Sequence, residues 1–483
     1  MADSDDKMSS VSSDRIPNLV QIGAIPTEYG QTLTSDVIDA STFNQNRVRF
    51  TLSRVAGFLH SKSKVTLSVT PLTNTGSYYP VNIGISQLIR SAELLVGNKT
   101  ICHVDDYSSF HAYQSLFITN ENNREREQFL SQRLVNHQPV YDNRATAAAD
   151  ETPNGADRVG LANGLNPVVD VGNGNQTFKL LPFQLHDGSS AQGIADAPVY
   201  SVYLSDLFPF LETNQIPAFM IDEEIHIDLT FQDQTTVLGG SVQSRRMLVP
   251  NGATVDVAYQ VNQNEVKLLY DSISYDGEIM RKYREQNKKL VFQYVDYRLA
   301  KRTGDQTAFS DLTFQIGGNG RLVSKVIFGL QNHNHYKAEA LIGGDAGAVA
   351  PPADNELTVN MRYNDRFEFA VDRSNKALLF TTTQQSEGKV PFVTRDEYQN
   401  QNVDGTTPAT LEGNAQSSKI HGTRGNFSWT ALRLNKGERV NNKGIEITYK
   451  NPGLPAHNYT LRCYLELLKV ATIEDGKMSC YFA

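Results

Sequence analysis

Three consecutive carboxylates, Asp222-Glu223-Glu224, stand just before an alternating apolar run, and two histidines occur in Asn332-His333-Asn334-His335. Paired carboxylates carry out glycoside hydrolysis, one as general acid and the other as nucleophile or base. Adjacent residues of an extended chain point to opposite faces, so Glu223 and Glu224 cannot flank one substrate. Asp222 and Glu224 share a face, and a solvated turn leading into a strand accounts for them more simply. His333 and His335 would fall on one side of a strand as two imidazole ligands, with a third, such as His421, brought from elsewhere. With no third ligand at a matching spacing, a polar loop is the simpler reading. The sequence contains no Gly-x-x-x-x-Gly-Lys-Ser/Thr loop, Gly-x-Ser-x-Gly elbow or His-Glu-x-x-His pair. Gly172-Asn173-Gly174 lacks the strand-to-helix setting of a phosphate cradle, and Arg245-Arg246 and Lys288-Lys289 read as surface pairs. We therefore assign no catalytic, cofactor-binding or metal-binding residue and expect a protein that is not an enzyme.

Composition points the same way. The 483 residues carry 45 Lys+Arg against 53 Asp+Glu, a net charge of -8, which argues against a dedicated or sequence-specific nucleic-acid partner. The cysteines Cys102, Cys463 and Cys480 are sparse and widely spaced, as in a protein folded in a reducing compartment. The opening Met1-Ala2-Asp3-Ser4-Asp5-Asp6 has no signal-peptide pattern, and no apolar run is long enough for a transmembrane helix. A soluble chain made in the cytosol is expected.

Short strand-like runs separated by turn residues fill most of the chain. They include Val48-Arg49-Phe50-Thr51-Leu52, Lys64-Val65-Thr66-Leu67 and Leu290-Val291-Phe292, and helical text is scarce. Residues 107–117 read as a short helix or aromatic loop, 121–135 as a helix, and 276–289 as a helical linker with Glu278, Arg281 and Lys282 outward. Parallel α/β architecture would need a helix after nearly every strand, so the pattern predicts an all-β protein of sandwich or jelly-roll type. Residues 1–40 read as a polar arm that orders only on a partner, and 143–196 as a Gly/Ala/Asn-rich insertion.

A doubled ending argues for duplication. Ile225-His226-Ile227-Asp228-Leu229, then Leu268-Leu269 and Asp276-Gly277, is echoed by Ile445-Glu446-Ile447-Thr448-Tyr449, Leu467-Leu468 and Asp475-Gly476. The alternation in the first copy puts Ile225, Ile227, Leu229 and Phe231 in a core, with His226, Asp228 and Thr230 facing out. The Ile-x-Ile strands are 220 residues apart and the Asp-Gly pairs 199, so the first copy holds 21 more residues between these landmarks. That surplus predicts a longer loop across 232–263. Two tandem jelly rolls are expected, with few short helices and long loop insertions, at 41–280 and 281–483 after the arm.

The block Leu204-Ser205-Asp206-Leu207-Phe208-Pro209-Phe210-Leu211, the pair Ile216-Pro217, and Asp222-Glu223-Glu224-Ile225-His226-Ile227-Asp228-Leu229 resemble the first jelly roll of major capsid proteins from polinton-like viruses and virophages. These belong to the double jelly-roll capsid lineage of DNA viruses. The specific wording covers 204–231 and 266–285, and the layout covers most of the chain. The resemblance implies two upright jelly rolls and a homotrimer with a pseudo-hexameric outline that tiles an icosahedral capsid. It also implies a virion location after synthesis in the host cytoplasm, with neighbouring capsomers, penton and minor capsid proteins as partners reached through the arm. The competing expectation is a β-sandwich glycan-binding or glycan-cleaving protein.

Overall fold

The computed structural model describes residues 32–53, 57–71, 77–78, 84–114, 141–142, 168–170, 176–180, 184–186, 199–232, 236–238, 241–243, 249–250, 259–304, 311–332, 358–364, 366–372, 376–388, 430–434, 439–450 and 459–482. The first unit is built on β1 (Thr32–Asp39), β2 (Arg47–Leu52), β3 (Lys64–Leu67), β4 (Ile89–Val96), β5 (Lys99–Asp105), β6 (Tyr200–Tyr203), β7 (Ile225–Phe231) and β8 (Lys267–Ser274). The second is built on β9 (Lys289–Gly304), β10 (Asp311–Ile316), β11 (Val323–Asn332), β12 (Thr358–Tyr363), β13 (Arg366–Asp372), β14 (Thr430–Arg433), β15 (Ile445–Lys450) and β16 (Tyr459–Glu474).

Strand order repeats between the units. The first has sheets β1-β8-β3-β6 and β2-β7-β4-β5; the second has β9-β16-β11-β14 and β10-β15-β12-β13, antiparallel throughout. Each strand of the second unit thus stands where the strand numbered eight lower stands in the first. Two four-stranded sheets with the first strand beside the last form a jelly roll, and the chain is two of them in tandem. Helices are few: α1 (Tyr107–Gln114) after β5, α2 (Leu204–Leu207), α3 (Pro209–Thr213), α4 (Gly277–Gln286) joining the units, and α5 (Lys376–Glu387) after β13.

Local chemistry explains the elements. In β7, Ile225, Ile227, Leu229 and Phe231 are all buried, each fully buried apolar side chain contributing about 1.5–3 kcal/mol. Their equivalents Ile445 and Ile447 in β15 are buried in a second cluster with Phe314, Met361 and Leu465. Asp276 caps α4 by accepting the Glu278 N–H at 2.9 Å, and Tyr283 is the helix's buried residue.

Several expectations need correction. Thr32–Asp39, the end of the expected arm, is strand β1, in register with all of β8 from Thr32↔Ser274 to Asp39↔Lys267. It closes the open edge of β8, while its side chains stay mostly exposed, which is why its text lacks a core-facing stripe. Asp228 lies on the outward face but is not solvated: it is 3 % exposed, covered by Arg47 and by Arg49 at 2.6 Å. Burial alone would raise its pKa, but the hydrogen bonds from Arg49 and Arg47 hold the carboxyl below its ordinary value.

The Asp-Gly pairs do not share a role. Asp276-Gly277 starts a helix, whereas Asp475-Gly476, with φ of 51° and 74°, is the two-residue turn into one more strand, β17 (Lys477–Phe482). The stretch expected as a long loop contains a hairpin of Thr236–Leu238 with Ser241–Gln243, and Val249–Pro250 pairs with Ser77–Tyr78. Within the expected insertion, Val168–Asp170 pairs with Gln176–Leu180. Residues 1–31 and the expected helix at 121–135 lie outside the described residues.

Candidate functional site

The largest concentration of buried polar chemistry lies along the seam between the two jelly rolls. Strand β5 ends its sheet, and a bulge between its pairings Leu94↔Cys102 and Leu95↔Thr100 sets Ile101 out of the ladder. Bulges re-aim what they carry. The Ile101 carbonyl accepts from Tyr294 Oη of β9 at 2.8 Å and from Lys469 Nζ of β16 at 3.1 Å. Beside it the Thr100 carbonyl accepts from Cys480 Sγ of β17 at 3.1 Å. Lys469 is also paired with Asp296 at 2.5 Å, both 8 % exposed. The edge of the first unit is thus closed by side chains of the second rather than by another strand.

Further along the seam, α1 meets β9 and β16 through Phe110. Asp106, in the left-handed conformation at φ 53°, accepts from Arg462 Nε at 2.5 Å, and its carbonyl accepts from Tyr464 Oη at 3.0 Å. Arg462 is fully buried. Tyr113 donates to Glu387 of α5 at 2.6 Å, and Lys325 bridges Glu387 at 2.9 Å and Glu466 at 3.0 Å. Burial opposes the charged form of each partner. For Lys325 the two carboxylates outweigh that and raise its pKa; for Glu466 the opposing cation Lys325, with hydroxyls of Ser324 and Tyr297, outweighs it and lowers its pKa. Asp296 is different: burial raises its pKa despite Lys469. Phe110 packs on Tyr297 at 4.4 Å and Tyr464 at 5.1 Å, and Phe210 of α3 packs edge-on against Tyr294 at 4.9 Å. One hydrophobic cluster therefore runs from the first core through Phe210 to Tyr294 and Tyr464.

The carboxylate triplet lies at the end of this seam. The Asp222 N–H donates to the Gly476 carbonyl at 2.8 Å, and Asp222 Oδ1 pairs with Arg284 of α4 at 3.3 Å. Glu223 accepts the Met478 N–H at 3.3 Å and stands 3.6 Å from Lys99, whose Nζ donates to the Met478 carbonyl at 3.0 Å. Glu224 faces His226 at 3.8 Å. The triplet joins structural elements: Asp222 is engaged with a linker helix and Glu223 with a strand. His333, His335 and His421 lie outside the described residues, and among the described residues no group of three His, Cys, Asp or Glu could hold a metal. No described helix is long and apolar enough to cross a membrane.

Sequence reasoning missed Asp106, Lys325, Arg462 and Lys469. A signal was available: Arg462, Glu466 and Lys469 interrupt the largely apolar text of β16, and a cation inside a buried strand implies a carboxylate partner.

No protein-family model and no curated protein matches the chain. Solved structures do. A structure of PBCV-1 VP54, fitted into a reconstruction of the virophage Sputnik, is 11% identical and covers 94% of this chain and 97% of that one, with a TM-score of 0.51. A structure of the Sputnik virophage is 12% identical, covers 94% of this chain and 89% of that one, with a TM-score of 0.51. A PBCV-1 capsid structure is similar at 12% identity, with 94% and 97% coverage and a TM-score of 0.51. The shared feature is the double jelly-roll fold.

Proposed function

We propose that this chain is a structural major capsid protein whose activity is self-assembly, as a homotrimer with a pseudo-hexameric outline that tiles an icosahedral virion shell. The observation that supports the reading is a pair of complementary surfaces repeated by the duplication. Within the chain, helix α1 of the first unit docks on Tyr297 and Tyr464 on the outer face of β9 and β16 in the second, and the edge strand β5 meets Tyr294 and Lys469 further along the same two strands. The duplication repeats both partners. Strand β13 ends its sheet and is followed by α5, as β5 is by α1. The face of β1 that matches the buried Tyr297 side of β9 carries Leu33 at 59% and Val37 at 60% exposure.

A head-to-tail contact between these surfaces of successive copies repeats the internal one, and such a heterologous contact closes as a ring of three when the rotation per copy is a third of a turn. Three copies supply six jelly rolls. In this reading the chain is not an enzyme and needs no cofactor or catalytic residue. The first jelly roll begins at Thr32, and residues before it reach neighbouring capsomers and penton or minor capsid proteins after synthesis in a host cytoplasm. The test is mass in solution by light scattering: a species of three chains of 53.7 kDa is expected. A Leu33→Asp, Val37→Asp variant should fold with unchanged circular dichroism and remain a single chain. A trimer unaffected by both substitutions would refute the proposed contact.

A further inference from the structure

We infer that the C-terminal strand β17 is a strap that locks the angle between the two jelly rolls and can lift without unfolding either. It belongs to neither repeat: β17 pairs with the lower half of β16, where the first unit instead has the short strand Phe58–Leu59 against β8. It is lightly held. Met478 is its one fully buried side chain, Cys480 is half-buried, and Lys477, Ser479, Tyr481 and Phe482 are exposed. On its other edge no described strand pairs with it. Glu223 Oε2 and Lys99 Nζ from the first unit take the Met478 N–H and carbonyl in place of a ladder.

The turn is seated separately. Gly476 sits at φ +74° with its carbonyl on the Asp222 N–H, and an added Cβ would stand 1.9 Å from Asp222 Oδ2. Asp222 also holds Arg284 of the linker helix, so one residue ties the first unit, the linker and the strap. The Arg284–Asp222 pair is more than half exposed and the Lys99–Glu223 pair partly exposed, and such pairs are weak. The Arg462–Asp106 pair and the Phe110–Tyr464 contact do not involve β17 and hold the other half of the seam when the strap is up. Lifting β17 opens the edge of β16 over Lys469–Glu474 and the Thr100 carbonyl of β5, and the units then pivot about the remaining half.

Hydrogen exchange by mass spectrometry on the full chain tests this, and it is read on the isolated protein, so it does not depend on the assembly reading. Residues 477–482 should exchange at least about tenfold faster than residues 461–467 of the same sheet, reporting local opening. Gly476→Ala, and independently Glu223→Gln, should raise exchange at 477–482 by a further several-fold and leave Ile445–Lys450 unchanged. Equal protection of 477–482 and 461–467 in the unsubstituted protein would overturn the inference. So would variants in which the loss of protection spreads to Ile445–Lys450, because β17 would then be part of the second core. Should Gly476→Ala not fold, the unsubstituted protein and Glu223→Gln still decide between these outcomes.

Discussion

The first and last strands of the two jelly rolls pair in the same way but over different lengths. In the first unit β1 and β8 match over eight residues; in the second β9 and β16 match over sixteen, from Lys289↔Glu474 to Gly304↔Tyr459. The added half is not spent on the second core. Leu461, Cys463, Leu465 and Leu467 of β16 face that core, but Ala471 and Ile473, of the same parity, belong to the cluster shared with the first unit. The accumulated twist of a long ladder carries one face of a strand from its own sandwich onto its neighbour. Duplicated units have diverged by extending a ladder and adding β17, without changing strand order, and the extension made the seam. Where the second unit has β17 after its last strand, the first has α4.

Substitutions at the seam should test that contrast most severely. Asp106→Ala removes the carboxylate that pairs with the fully buried Arg462 and should cost about 3–5 kcal/mol in chemical denaturation, whereas Glu278→Ala, removing an exposed pair with Lys282 on α4, should cost less than about 1 kcal/mol. Similar costs at the two positions would show that the seam is no more than another surface.

The two Asp-Gly pairs offer a smaller and cleaner comparison. Gly277→Ala enters a first helical turn with nothing within 4 Å and should be neutral or stabilise by up to about 1 kcal/mol. Gly476→Ala forces a left-handed residue onto Asp222 and should destabilise by about 1–3 kcal/mol. Thermal melts of both variants check this; equal effects would mean that the two turns do the same work after all.

The pH dependence should be smaller still near neutrality. Glu466 has a folded pKa below its unfolded value of about 4.3, so its contribution is full above that value and lost as pH falls through the folded one. Lys325, raised above about 10.4, contributes fully below that value and loses its contribution as pH rises through the folded one. Asp296 has a raised pKa, so its cost is present at neutral pH and relieved as pH falls through it. Melting temperature should therefore hold or rise slightly as pH falls from neutrality and drop only once pH passes below the unfolded carboxylate value of about 4.3, where the contribution of Glu466 begins to be lost. A steady fall beginning near pH 6 would mean that other groups govern the seam.

How much of this was legible depends on whether the determinant is local. The alternation Ile225, Ile227, Leu229 and its echo Ile445, Ile447 made the duplication and the all-β class readable, because a core-facing stripe is written every second residue. Strand β1 escaped because, as an edge strand, it keeps its side chains in water. The burial of Asp228 was not legible because period two assigns faces but does not register that Arg49 lies opposite and Arg47 diagonally across, covering the carboxylate. The seam was illegible for a stronger reason: Asp106 and Arg462 are 356 positions apart, and only the folded chain brings them together. Asp276-Gly277 and Asp475-Gly476 show the converse, identical letters whose neighbours send one into a helix and the other into a hairpin.

The central claim, that a second copy completes what the first unit leaves uncovered, is most directly tested by electron microscopy of the purified full-length protein. The account predicts three-fold particles with a six-lobed outline, each lobe one jelly roll. Isolated two-lobed particles at every concentration and salt condition would contradict it.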